Sequence, residues 1–129
     1  MATIAVIDTD ADIAALIGFV LQQQGHTVLA VSDLATTLPT VAHERPDLVL
    51  LAGGSTEIPS IELCRALRAS IAVPILLYNG LPNEDDEIRA LDNGANVYMH
   101  APLDVGILRA RIRALLRRAD AVHSPITFS

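Results

Sequence analysis

The chain contains no lysine, and all nine of its basic residues are arginines. No side-chain ammonium group is therefore available to any site. Tryptophan is absent, and there are only two Tyr and two Phe, so the core has to be built from aliphatic side chains. One cysteine, Cys64, excludes an internal disulfide and fits a reducing cytoplasm. Its expected place on a helix makes it a small core residue rather than a reactive thiol. No apolar run approaches the ~20 residues that a membrane-spanning helix requires. The opening Met-Ala-Thr-Ile-Ala-Val-Ile-Asp carries no basic leader and an acid by residue 8, unlike a signal peptide.

What is present suits one compact domain. The chain has 129 residues, 51% of them apolar, which is enough to bury a full core and argues against disorder. Net charge is −6 but uneven: residues 1–103 hold thirteen acids and four arginines, while residues 104–129 hold two acids and five arginines. An acidic body argues against direct contact with a nucleic-acid backbone. The late arginines read as the outer face and last turn of a helix, where cations complement the dipole.

Five apolar, β-rich runs alternate with five helical ones. Thr3–Asp8 reads as a buried strand, followed by a helix from about Ala11 to Gln24 with Gly25 placed to end it. Leu16, Phe19 and Val20 fall on one face of that helix at helical spacing. His26–Val31 is the second strand. Pro39 is unfavourable in a helix interior, so the second helix is expected to start near Leu38, with Thr37 near the cap, and to end before Pro46. Asp47–Ala52 is the third strand, Pro59–Ala69 the third helix and Val73–Tyr78 the fourth strand. Asn83 is placed to cap the fourth helix, with Glu84, Asp85, Asp86 and Glu87 at its positive end, and Gly94 stops it. Asn96–His100 is the fifth strand.

Asp104 caps a last helix running to about Ala119, with Leu108, Ile112, Leu115 and Leu116 on one side and Arg109, Arg113 and Arg117 on another. Strict alternation with short loops predicts a doubly wound five-stranded parallel sheet with both faces covered. Residues 1–119 form the expected domain. Residues 120–129 read as a linker, with Ile126-Thr127-Phe128 as the start of a further strand in an output domain.

Arg45-Pro46-Asp47-Leu48-Val49-Leu50-Leu51-Ala52 is the most informative stretch. Reactive groups in such sheets sit where the strands end at their carboxyl side, and here that end is a methyl group. Asp8, Asp10 and Asp12 read as helix-capping acids, with Asp8 the one weak metal candidate. Gly53-Gly54-Ser55-Thr56 lacks the spacing of a phosphate-cradling loop. His26, His43, His100 and His123 form no ligand pattern, and strand alternation aims His100 away from the strand-end pocket.

These features together resemble the bacterial response-regulator receiver domain over residues 3–119. The resemblance rests on Ala5-Val6-Ile7-Asp8, Arg45 to Leu51, Glu62-Leu63-Cys64-Arg65, Val73-Pro74-Ile75, Gly94-Ala95, Tyr98, Pro102 and Arg111 to Arg118. It implies the flavodoxin-like strand order 2-1-3-4-5. It also implies phosphoryl transfer to an aspartate after strand three, with metal-binding acids, a hydroxyl and a lysine around it. Carried over, those positions hold Asp8 and Thr9 for the acid pair, Ala52 for the acceptor, Asn79 for the hydroxyl and Ala101 for the lysine. Glu57, Ser55, Thr56 and Ser60 are the nearby substitutes, and none supplies an ammonium group.

The resemblance further implies an output face on helix four, strand five and helix five, with Tyr98 as its switch aromatic. Members carrying winged-helix DNA-binding domains dimerise there through charged pairs. Glu87, Val97 and Ile107 depart from that pattern, whereas Asp92, Arg111 and Arg118 keep it. Val97 and Ile107 are expected to form an apolar patch for a homodimer. The expected function is phosphorylation-independent: no enzyme, no cofactor, no membrane, a homodimer linked to an output DNA-binding domain, and contact with a signalling protein. Two alternatives remain open: a small-molecule sensor using the emptied pocket, and a phosphoacceptor using a displaced acid.

Overall fold

A run of branched aliphatic residues with no polar face suits a strand covered on both sides. Five such runs build one parallel sheet: β1 (Thr3–Asp8), β2 (Thr27–Val31), β3 (Leu48–Gly53), β4 (Ile75–Asn79) and β5 (Val97–His100). Their order is β2-β1-β3-β4-β5, as expected. The connecting helices are α1 (Ala11–Gln23), α2 (Leu34–Glu44), α3 (Ser60–Ser70), α4 (Asp86–Asp92) and α5 (Val105–His123). The computed structural model describes residues 2–8, 11–31, 34–53, 60–80 and 85–123.

Alternate strand residues face opposite layers. Ile4, Val6, Leu48, Leu50, Ala52, Leu76, Tyr78 and Met99 pack against α1 and α5 through Ile17, Leu21, Leu108, Ile112 and Leu115. Ala5, Ile7, Val49, Leu51, Ile75 and Leu77 pack against the other layer through Val41 of α2, Cys64 and Leu67 of α3 and Ala90 of α4. Burial pushes the Cys64 thiol above its usual range, with Arg68 opposing, so this is an inert core thiol.

Gly25 ends α1 with φ of 88°, and the Ile107 N–H donates to Asp104 Oδ1 at 3.0 Å, so both expected helix signals hold. Three local expectations fail. Leu16 and Phe19 are 49% and 58% exposed, because α1 turns Ile17, Val20 and Leu21 inward instead. The second helix starts at Leu34 rather than near Leu38, with Pro39 in its interior. Burial of Thr37 and Val41, one turn apart, outweighs the backbone bond that Pro39 cannot make. Helix α5 runs to His123, past the expected end at Ala119, while residues 124–129 lie outside the described residues. Among the described residues no helix is long and apolar enough to cross a membrane.

Candidate functional site

Three of the expected pocket positions lie along the carboxyl edge of neighbouring strands. Asp8 pairs with Ala52, and Gly53 pairs with Asn79, in the β1–β3–β4 register. Ala101 follows β5, and its N–H donates to the Asn79 carbonyl at 3.0 Å. The peptide between Ala101 and Pro102 is cis. Thr9, Asp10, Ser55, Thr56, Glu57 and the side chains of Asp8 and Ser60 lie outside what the structure describes. Ala52 is 4% exposed, and both it and Ala101 belong to the α1/α5 cluster. Tyr78 stands directly opposite Ala52 in register and packs into the same cluster. Sequence reasoning overlooked this ring, which occupies the layer beside Ala52.

The Asn79 side chain turns to the other layer. Its Nδ2 donates to Asp86 Oδ2 at 2.9 Å, joining the end of β4 to the first residue of α4. Asp86 is 6% exposed, and it and Thr37 are the buried polar residues among those described. Asp86 was expected at the positive end of helix four, and it does lie in the first turn of α4; the structure adds that its carboxylate is buried. The reason is where the helix begins. The expected cap Asn83 and Glu84 lie outside the described residues, and Asp85 at the N-cap makes no side-chain cap bond. Starting at Asp86 sets this residue one turn before buried Ala90, on the inner side of α4.

Tyr98 completes this corner. Its hydroxyl is buried and lies beside the Asn79 side chain. Burial pushes the phenol above its usual range; the Asn79 amide opposes this, and the Asp86 and Glu87 carboxylates add to it. His100, two residues on, is exposed and lies beside the Tyr98 ring with centroids 6.2 Å apart. Among the described residues no three His, Cys, Asp or Glu side chains could together hold a metal ion.

The family model described as the response regulator receiver domain matches residues 4–113. The chain belongs to that family. It is 37% identical over 117 residues to the DNA-binding response regulator MtrA of Mycobacterium tuberculosis, covering 91% of this chain and 51% of the relative. It is 33% identical over 125 residues to the KDP operon transcriptional regulatory protein KdpE of Escherichia coli, covering 97% and 56%. The BeF3-activated N-terminal receiver domain of Klebsiella pneumoniae RstA superposes with a TM-score of 0.83 at 30% identity, covering 89% of this chain and 98% of that one. The chain spans about half the length of the curated relatives it matches.

On this receiver domain, the expected output face carries exposed Asp92, Arg111 and Arg118, as well as Ile107 at 48% exposure. Val97 is different. It is half-buried and packs against the α1/α5 cluster, so little of it is left for a surface patch. Helix α4 supplies what Val97 does not: Ile88 and Leu91 are 62% and 43% exposed. Neither had been singled out, because helical periodicity alone turns large aliphatic residues inward.

Proposed function

We propose that this receiver domain signals without phosphoryl transfer, regulating a DNA-binding output domain through protein–protein contact or dimerisation. One observation carries the reading. The residue at the carboxyl end of β3, aligned with Asp8 across the sheet, is Ala52, whose buried methyl group has no lone pair to attack phosphorus. Phosphoryl transfer is mostly positioning and charge neutralisation, and the other groups for it are thinned as well. Ala101 follows β5 where the family pattern has a lysine, and the chain contains no lysine to stand in. Asn79 has its amide committed to Asp86. Losing several groups that act as a unit is rarely made good by one substitute.

The domain would then work in the cytoplasm by its surfaces. Exposed Ile88, Leu91 and Ile107, with acids on α4 and arginines on α5, fit a second copy of the same face. Likeness to the DNA-binding response regulator MtrA and the transcriptional regulatory protein KdpE, each about twice the length of the matched stretch, supports an output domain that binds DNA. Incubation with acetyl phosphate and Mg²⁺, followed by intact mass measurement, tests the central claim. The expected mass is unchanged, and a gain of one phosphoryl group overturns it.

A further inference from the structure

Helix α4 is poorly equipped to hold its own place. It has seven residues, well under the ~12 at which an isolated helix becomes even marginal. Its large aliphatic residues, Ile88 and Leu91, point to solvent. What it buries is Ala90, whose methyl adds little, and Asp86. Its far end is tied down separately, because Arg68 donates to the carbonyl of Gly94 just beyond the helix. The near end has the hydrogen bond between Asn79 and Asp86.

A buried carboxylate is unfavourable unless it is paired, and a hydrogen bond to a charged group is among the stronger ones. The Asp86 contact to Arg89 is 3.8 Å long and Arg89 is 61% exposed, so that ion pair contributes little. We infer that Asp86 is the positioning residue of the α4–β5 face: gripped by Asn79, it seats the first turn of α4 beside Tyr98 and fixes that face in one arrangement without an added phosphoryl group. This deepens the function proposed above by naming what sets the face, and rests on it only for the meaning of that face. The Tyr98 hydroxyl, enclosed beside the Asn79 amide, belongs to the same corner and reports on its charge.

Hydrogen exchange with no phosphodonor present tests this inference separately from the mass measurement, so the two can fail independently. In Asp86→Ala, the amides of α4 should exchange about tenfold faster, while those of β1 and β3 keep their protection. Asp86→Asn retains an acceptor for Asn79 and should stay within about twofold of the parent protein. Unchanged α4 exchange in Asp86→Ala, or equal acceleration in every element, overturns the inference. Should Asp86→Ala not fold, ultraviolet titration of Asp86→Asn decides, with Tyr98→Phe used to separate Tyr98 from Tyr78. Removing the carboxylate should lower the Tyr98 ionisation midpoint, and an unmoved midpoint sinks the role assigned to Asp86.

Discussion

The guanidinium of Arg68 donates twice to the carbonyl oxygen of Gly94, from Nε at 3.1 Å and from Nη2 at 2.9 Å. The same group reaches the Val73 carbonyl at 2.8 Å and Asn96 Oδ1 at 2.6 Å, and that oxygen also accepts from the Ile75 N–H. One side chain of α3 thus ties the turn after α4 to the starts of β4 and β5. A Cβ on Gly94 would lie 2.8 Å from both Cβ and Cγ of Arg68, and Gly94 has φ of +109°. Gly94→Ala should therefore destabilise the domain by about 2 kcal/mol, read as a lower denaturant midpoint. A midpoint equal to that of the parent protein removes this account of the turn.

Acid should weaken the sheet edge at His26. The Ala2 N–H donates to Nδ1 of His26 at 3.3 Å, and protonation removes that acceptor. Burial, followed by the positive amino terminus, lowers the imidazole from its ordinary 6.5. A lowered folded value means that the unfolded chain takes up the proton first. The stabilisation is present above the ordinary value and is lost as pH falls below it. Denaturant midpoints measured from about pH 7.5 to 5 should decline, and His26→Gln should remove part of that decline. If the two proteins have superimposable pH profiles, His26 is not responsible.

Restoring an acid at the end of β3 should not restore chemistry. Ala52→Asp places a carboxylate at a position 4% exposed, opposite the Tyr78 ring, and should destabilise the fold by about 3 kcal/mol. The chain still lacks a lysine. Its intact mass should not change with acetyl phosphate and Mg²⁺. A stable phosphoryl adduct on this variant would show that the missing aspartate alone had silenced the pocket.

Self-association should depend on α4 and α5 rather than on β5. Ile107→Glu or Ile88→Glu should shift sedimentation of a concentrated sample toward monomer, since each replaces an exposed apolar side chain with a charge. Val97→Thr should affect stability more than assembly, because Val97 packs inward. A parent protein that remains monomeric at every concentration removes the homodimer from the proposed function.

The fold was legible because its three central strands are buried on both faces. Leu48 to Leu51 can hardly be read otherwise, and the edge positions Asp8, Ala52 and Asn79 follow once the parallel register is assumed. The helices were harder. In α1 the neighbours Leu16 and Ile17 have similar hydropathy, yet one is exposed and the other buried, a choice made by the sheet beneath. In α2 the proline rule gave way to packing of Val41. Asp86 was hidden within four consecutive acids, since which of them turns inward depends on the residue at which α4 begins. Its spacing to Ala90 was the available signal, but Ile88 and Leu91 compete for the same inner side.

The cations along the outside of α5, Arg111, Arg113, Arg117 and Arg118, are all guanidinium groups. Such groups are not targets of lysine acetylation. The positive field of this helix is therefore one that a lysine acetyltransferase cannot dim. Ionic strength, or an acidic surface laid over it, is what remains to modulate it.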